Sequence, residues 1–263
     1  MSAKTGRAEK GIPNALARFG FFARGTVYVV VGGLAGRVAI LQRGRTLGPA
    51  DALAAILAGW NGRLALWIVA AGLLAFVLFR AAQCLRTRSR LARIGYAAGA
   101  LGGLFLAATA VRVLLHFHAG GDAGALREAA TRLVSRAWGR GALELGGAIA
   151  AVVGALEALR AAVGRLPADF TAAIMDRDRK RWTSALARAG VFAHGAVVAV
   201  TGYSIFRAGL AGNPRGLGDT AAALRTIRHA ENGPALFALA AAGLIAYGLS
   251  LFVLAAHRLK RSR

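Results

Sequence analysis

The 263-residue sequence contains a single cysteine, Cys84, and few acidic residues, with 11 Asp and Glu against 34 Lys and Arg. One cysteine excludes an internal disulfide framework and a thiol-rich metal site. Charged residues make up only 17% of the chain and hydrophobic residues 57%, which is more apolar sequence than a soluble domain needs. Because the charges cluster between long apolar runs, the composition indicates a membrane protein.

Catalytic motifs are also missing from the sequence. It has no Ser/His/Asp arrangement, no phosphate-binding glycine loop and no repeated metal ligands. His116 and His118, close to Asp122, offer a metal site, but a pair of solvated histidines at a helix end is the simpler interpretation. We therefore predict a non-enzymatic protein with no catalytic residue, no cofactor and no metal.

The net charge of +23 is typical of nucleic-acid-binding proteins, among others. Here the basic residues lie at the ends of apolar runs and in short loops, where they would meet anionic lipid head groups. We expect membrane lipids as partners and no nucleic acid. Another membrane protein or a second copy of this chain are further candidate partners.

One short motif opens three of the apolar runs, beginning at Asn14, Ser89 and Ser184, each of which can cap a helix. Each motif contains an arginine, and a second arginine follows 19 residues later. Nineteen helical residues span about 28 Å, so each pair brackets one bilayer core and can reach lipid phosphates. The pairs are Arg18 and Arg37, Arg93 and Arg112, and Arg188 and Arg207.

The chain is therefore predicted to be an all-α integral membrane protein made of three two-helix repeats, residues 1–85, 86–165 and 166–263. Two helices per repeat make the repeats parallel, related by a pseudo-threefold axis along the membrane normal. The six predicted spans are Phe19–Leu41, Leu64–Leu85, Ile94–Phe117, Gly141–Val163, Ala189–Leu210 and Pro234–Ala256. The loops inside the repeats contain three stretches predicted to lie on the membrane surface as amphipathic helices, Ala50–Leu57, Ala125–Val134 and Asp219–Ile227.

Orientation follows from the basic residues, which are more numerous at the termini and inter-repeat linkers than in the loops inside the repeats. This bias predicts that both termini lie in the cytoplasm. The first apolar run is too long for a cleaved signal peptide and is expected to remain as an anchor. The abundance of Ala, Gly and Arg favours a bacterial source, and hence the bacterial cytoplasmic membrane.

The segment Leu16–Gly25 reads Leu-Ala-Arg-Phe-Gly-Phe-Phe-Ala-Arg-Gly, and Leu186–Gly195 repeats it with His194 in place of the second arginine. Leu91–Ala100 keeps only the first half. This pattern resembles the bacterial membrane-protein family known as domain of unknown function 1206 over nearly the whole chain. The resemblance implies three two-helix units and a membrane location, and it implies no activity.

Three ionisable residues lie inside the predicted spans at a similar depth. Arg24 and His194 occupy the same repeat position, and Glu157 approaches them from a helix of opposite direction. We predict that Glu157 pairs with one of them in a buried polar cluster, which would respond to pH if the partner is His194. The alternative is that Arg24 snorkels and that Glu157 forms a local bridge with Arg160 on its own helix, as Glu144 would with Arg140.

Glycines at helix-packing spacing, Gly95, Gly99 and Gly103 in one helix and Gly32 and Gly36 in another, predict close contacts between helices. The arginine set Arg37, Arg112 and Arg207 would form an anion-binding ring if it faced the pseudo-axis, and would only snorkel if it faced lipid.

The leading hypothesis for function is a bundle that binds lipid or a membrane protein. The alternative is a small channel or transporter, which would require a continuous polar path.

Overall fold

The computed structural model describes residues 5–41, 48–116, 138–166, 170, 180–212, 223–224, 228 and 232–260. These residues form seven α-helices and no strand. The helices are α1 (Thr5–Leu41), α2 (Pro49–Leu57), α3 (Gly62–Arg86), α4 (Arg90–His116), α5 (Gly139–Ala162), α6 (Lys180–Ala211) and α7 (Gly233–Lys260). All except α2 are long and apolar enough to cross a membrane, which confirms the prediction of six spans.

Of the three residues predicted to cap the first helix of a repeat, one lies at the start of its helix. Ser89 directly precedes α4, where its hydroxyl accepts a hydrogen bond from the Ala92 backbone N–H at 3.5 Å. Asn14 and Ser184, by contrast, lie inside α1 and α6, which begin earlier at Thr5 and Lys180. The cap prediction was wrong at these two positions because the preceding polar residues continue the helix beyond the apolar run.

The six long helices neighbour one another in the order α1, α3, α4, α5, α6, α7 and back to α1. In this order the first helix of each repeat lies between the second helix of its own repeat and that of the preceding one. The contact between α4 and α5 is the exception, because these two helices barely touch. The order fits three related units, but the pseudo-threefold axis itself stays a prediction.

Two of the helix interfaces, α1 with α7 and α6 with α5, contain the same kind of glycine pair. Gly25 of α1 packs against Gly248 of α7, where a Cβ on Gly25 would lie 2.9 Å from the Gly248 carbonyl oxygen. Gly195 of α6 packs in the same way against Gly154 of α5, at 2.8 Å from its carbonyl oxygen. Gly25 and Gly195 each lie seven residues after their motif arginine. Such close backbone approach is what small residues allow between helices in lipid.

The short helix α2 covers the stretch Ala50–Leu57 that is predicted to form an amphipathic helix. Its start is fixed by Pro49 in the first turn and by the Gly48 N–H, which donates to Asp51 Oδ2 at 2.9 Å. Ala52 and Leu53 are fully buried, so one side of α2 packs into the apolar core of the bundle, and its location at the membrane surface stays a prediction. In the third repeat Ala223 and Leu224 are buried in the same core, and residues 125–134 lie outside the described part.

The apolar interior has two parts, one at each end of the bundle. The loop-side core, nearer the loops inside the repeats, includes Val31, Leu53, Leu73 and Leu244. The linker-side core, nearer the N-terminus and the inter-repeat linkers, includes Phe21, Phe79, Leu251 and Leu254. A group of charged and aromatic side chains lies between these two cores, on the helices that contribute to both.

Candidate functional site

The polar cluster between the two cores consists of side chains from five different helices. We define it as Arg24 and Tyr28 of α1, Arg80 of α3, Glu157 of α5, His194 of α6 and Tyr247 of α7. The three residues predicted to meet, Arg24, His194 and Glu157, thus lie together. Arg24 and His194 are 8% and 5% exposed, so both are buried at membrane depth.

His194 is the centre of the cluster. Its Nε2 lies 3.4 Å from Arg24 Nη2 and 3.1 Å from the Tyr28 hydroxyl. Its Nδ1 lies 3.3 Å from Glu157 Oε2, and its ring stacks on Tyr247 with a centroid distance of 4.2 Å. The imidazole is therefore held by contacts on both nitrogens and on one face, which leaves the ring a single orientation.

These contacts assign the proton on the ring. The guanidinium of Arg24 can only donate, so Nε2 of His194 is the acceptor and the ring proton lies on Nδ1, facing Glu157. In this tautomer the Nδ1–H of His194 is directed towards the carboxylate of Glu157. Nδ1 has no aligned hydrogen-bond partner among the described residues, so its contact with Glu157 at 3.3 Å is electrostatic and not a formed hydrogen bond.

Aromatic rings hold the two arginines of the cluster. The guanidinium carbons of Arg24 and Arg80 lie 4.7 and 5.2 Å from the centre of the Phe76 ring. Arg80 also lies over Tyr96 at 5.5 Å and donates to Gln83 Oε1 at 3.0 Å. Rings attract cations without neutralising them. Within the described residues the cluster thus combines two guanidinium groups with the carboxylate of Glu157.

Arg80 lies where the second repeat lacks a side chain. Arg24, Gly99 and His194 each follow their motif arginine by six residues, so the second repeat has glycine at the position of Arg24 and His194. A Cβ on Gly99 would lie 3.7 Å from Cδ and Nε of Arg80, which is ordinary van der Waals contact. The Arg80 side chain from the neighbouring helix thus borders the space left by Gly99.

Helices α4 and α5 barely touch within the described residues. Gly20 and Gly190 each follow their motif arginine by two residues and pack tightly on Phe76 and Tyr247 of their own repeat. Gly95 occupies the same position in the second repeat, yet no described atom lies within 4 Å of a Cβ placed there. This position is therefore tightly packed in the first and third repeats, and in the second it has no described neighbour.

The predicted glycine packing is realised only in part. Gly103 packs on Phe76 and Gly32 on Ile245, where an added Cβ would lie 2.9 and 2.7 Å from side-chain carbons. Gly99 makes the looser contact with Arg80 described above. No described atom lies within 4 Å of a Cβ placed on Gly95 or Gly36, so the close packing predicted for these two positions is not seen within the described residues and stays a prediction.

The arginines at the loop-side ends do not form a buried ring. All three, Arg37, Arg112 and Arg207, are exposed. Arg207 donates to the Tyr203 hydroxyl at 3.4 Å, and Tyr203 and Leu210 on the same helix face are 53% and 52% exposed. A face of exposed apolar side chains points to lipid. The arrangement fits snorkelling, and contact with lipid phosphates stays a prediction.

Two of the motif arginines bind the ends of neighbouring helices. Arg188 donates to the carbonyl oxygens of Ala161 and Ala162 at 3.3 and 3.0 Å, at the C-terminus of α5. Arg93 donates to the Thr87 carbonyl at 3.2 Å, at the C-terminus of α3. Ala162 and Thr87 have no backbone donor among the described residues, whereas the Ala161 carbonyl also accepts from the Gly164 N–H at 3.1 Å. For Arg18, the corresponding residue of the first repeat, the predicted lipid contact stays a prediction.

The alternative prediction was that Glu157 and Glu144 pair with arginines of their own helix. The described contacts of these arginines and of Glu157 are with other groups. Arg160 is exposed, and Glu157 contacts His194 of another helix instead. Arg140 donates to the Leu210 carbonyl at 3.1 Å, at the end of α6. Within the described residues no group of three or more His, Cys, Asp or Glu could hold a metal ion, and His118 and Asp122 lie outside those residues.

Sequence reasoning missed three members of the cluster: Arg80, Tyr28 and Tyr247. Arg80 was visible as a charge near the end of the second span, but its helix belongs to the first repeat and its neighbour Gly99 to the second. Only the order of helices around the bundle brings them together. Nothing in the sequence marked Tyr28 and Tyr247 as members of a polar cluster, because an aromatic residue in a membrane span most often packs in the apolar core.

Comparison with known families gives one match. The family model described as Domain of Unknown Function (DUF1206) matches residues 19–86 and 189–258, which together make up more than half of the chain. The two matched segments fall in the first and third predicted repeats, where Gly20 and Gly190 close the helix pairs. The second repeat, with the open position at Gly95, is outside the match. No curated protein and no solved structure matches the chain.

Proposed function

Because the chain belongs to the DUF1206 family, whose description assigns no activity, we propose its function from its own geometry: it binds the anionic head group of a membrane lipid at the polar cluster. In this proposal the protein is not an enzyme. Its chemistry is recognition, through guanidinium groups held by aromatic rings. The membrane location is the part already established, since six helices are able to span the bilayer.

The observation that carries the proposal is the buried guanidinium of Arg24. Arg24 is 8% exposed, its guanidinium lies against the Phe76 ring, and its hydrogen-bond contact within the cluster is with a ring nitrogen of His194 and not with a carboxylate. A cation at membrane depth is costly unless an anion lies near it. A phosphate group supplies negative charge and several acceptor oxygens for guanidinium donors. Arg24 lies six residues, or about 9 Å of helix, deeper than Arg18, so in this proposal the head group enters the bundle below the level of the lipid phosphates.

The hydrogen-bonding state of Arg24 supports the same proposal. Its Nε is buried and has no acceptor among the described residues, while one Nη group contacts His194. A buried donor without a partner costs about 1–3 kcal/mol, so an additional acceptor would stabilise the site. An anionic oxygen is the acceptor that also offsets the charge.

Conduction is less well supported. A channel or transporter would need polar side chains that continue from the cluster towards both membrane surfaces. The described interior is apolar on both sides, with Val31, Leu53 and Leu73 in the loop-side core and Leu251 and Leu254 in the linker-side core. A polar site enclosed between two apolar cores suits binding better than transport.

Lipid binding to the purified full-length protein tests this proposal. Native mass spectrometry after incubation with phosphatidylglycerol or phosphatidylcholine vesicles would count the bound lipids and give apparent affinities. We expect the anionic lipid to bind more tightly. Arg24→Gln should weaken its binding about tenfold, the value of one charge-assisted hydrogen bond, whereas Glu157→Gln should strengthen it because a competing negative charge is removed.

The opposite signs separate recognition from damage to the fold, since a variant that only destabilises the bundle would weaken binding in both cases. Arg63→Gln is the matched control, because Arg63 is an exposed arginine near the start of α3 and lies outside the polar cluster. It should change the affinity little. Equal binding of the two lipids, or a loss of binding in both cluster variants, would refute the proposed function.

A further inference from the structure

The guanidinium group of Arg24 uses one donor of a two-donor edge within the part of the chain that the structure describes. Nε and Nη2 of an arginine lie on the same edge of the guanidinium, which is the geometry that binds two oxygens of a phosphate. Here Nη2 contacts Nε2 of His194 at 3.4 Å, while the buried Nε has no acceptor among the described residues. The imidazole therefore holds one of the two donors that a phosphate would need.

The acceptor on His194 is shared by two donors. Nε2 has a single lone pair, and it lies 3.4 Å from Arg24 Nη2 and 3.1 Å from the Tyr28 hydroxyl. A guanidinium can only donate, whereas a hydroxyl can donate or accept. If Nε2 takes up a proton, the Tyr28 oxygen can turn to accept from it, but the contact with Arg24 then joins two donors and is lost. Protonation of the ring thus frees the whole Nε–Nη2 edge of Arg24.

The groups around the imidazole act on a protonated ring in opposite ways. Glu157 of α5 lies 3.3 Å from Nδ1 and Tyr247 of α7 stacks on the ring at 4.2 Å, and both attract a positive charge. Arg24 of α1 opposes it, as does Arg80 of α3, whose guanidinium lies over the same Phe76 ring as that of Arg24. An anion bound at Arg24 would weaken this opposition, which links the proton to the anion.

From this geometry we infer that the site binds the lipid phosphate together with a proton. The proton comes from water and binds Nε2 of His194, and two phosphate oxygens then accept from Nε and Nη2 of Arg24 in place of the imidazole. The inference rests on the proposed function and adds the second ligand that accompanies the lipid. Because such coupling is reciprocal, acid should strengthen lipid binding, and lipid binding should take up a proton.

The affinity for phosphatidylglycerol at two pH values tests the inference, because this phosphodiester keeps one negative charge at both. Between about pH 8 and about pH 5.5, the range in which imidazoles change charge, the affinity measured by native mass spectrometry should rise about tenfold. His194→Gln should bind the lipid equally at both pH values. His257→Gln is the matched control, because it removes another histidine, near the end of α7, and it should keep the tenfold change.

Proton uptake by the unmodified protein is a second measurement, and it does not depend on the folding of a variant. Calorimetric titration with phosphatidylglycerol, repeated in two buffers of different ionisation enthalpy, counts the protons taken up for each lipid bound. We expect net uptake at about pH 6.5, the middle of the range in which imidazoles titrate. Binding without any uptake between about pH 8 and about pH 5.5 would overturn the inference.

The outcomes separate this inference from the proposed function. If phosphatidylglycerol is preferred over phosphatidylcholine and Arg24→Gln weakens its binding, but the affinity is the same at both pH values, only the inference is overturned. If the pH dependence persists in His194→Gln and disappears in Glu157→Gln, the carboxyl group takes up the proton, and this also overturns the inference. If the anionic lipid is preferred at neither pH value, the proposed function itself fails.

Discussion

The Arg24 guanidinium contacts Nε2 of His194 at 3.4 Å, although the two residues are 170 positions apart and occupy the same place in two copies of one repeat. The third copy of this place is Gly99, beside which the Arg80 side chain lies. The repeated helices thus bring three equivalent positions near one another. The residues at these positions differ, and this difference turns a repeated scaffold into one asymmetric polar cluster.

The first prediction is that His194 and Glu157 are energetically coupled. A double-mutant cycle of His194→Gln and Glu157→Gln should give a coupling free energy of about 1 kcal/mol or more, since the partners lie 3.3 Å apart in a largely buried site. The measurement is the free energy of unfolding in detergent. The same cycle with Arg160→Gln in place of His194→Gln is the control and should be additive, because Arg160 is exposed. Additivity in both cycles would show that the cluster is not a coupled unit.

The sequence allowed the fold class and the meeting of Arg24, His194 and Glu157 to be predicted, because a repeat fixes depth. Residues at equal distances from equivalent helix starts must lie at similar levels in the bilayer. Repeat spacing does not say which helices become neighbours. For that reason Arg80 was missed, and the proximity of α3 to α4 across a repeat boundary appears only in three dimensions.

The second prediction compares one motif position in two repeats. Gly20→Ala should lower the free energy of unfolding by about 1–3 kcal/mol, because the added Cβ would lie 2.6 Å from the Phe76 Cα and force the helices apart. Gly95→Ala should instead be neutral or stabilising by about 0.5–1 kcal/mol, since it adds helix propensity in open space. Thermal unfolding in detergent compares the two. Equal destabilisation would mean that the second repeat is closed like the first.

Packing at Gly95 shows why identical motifs do not imply identical surroundings. The three motif glycines, Gly20, Gly95 and Gly190, are equivalent in sequence, yet of the three only Gly95 belongs to the glycines predicted from their spacing to pack closely. The contact also depends on the partner helix, and α5 packs extensively on α6 but hardly on α4. A glycine pattern predicts that close approach is possible, while the facing helix decides whether it occurs.

The third prediction concerns the motif arginine of the third repeat. Arg188→Gln should destabilise the bundle by about 1 kcal/mol, because the Ala162 carbonyl loses its donor at the end of α5 while the Ala161 carbonyl keeps the Gly164 N–H. Arg207→Gln, on the same helix, is the comparison and should cost little, since its guanidinium is exposed. Hydrogen exchange would localise the effect of Arg188→Gln to the last turn of α5. An unchanged exchange rate there would contradict the capping role.

The last prediction places the cluster relative to the cell. The excess of basic residues at the termini and linkers predicts that both termini are cytoplasmic, which would put Arg24, six residues beyond the motif arginine Arg18, in the cytoplasmic half of the bilayer. Single cysteines introduced as Ser2→Cys, Ser262→Cys and Asn213→Cys into a Cys84→Ser background report the topology. A membrane-impermeant reagent added to intact cells should label the cysteine at position 213 and neither terminal one. The reverse pattern would place the cluster in the outer half, so that its lipid would have to come from the opposite leaflet.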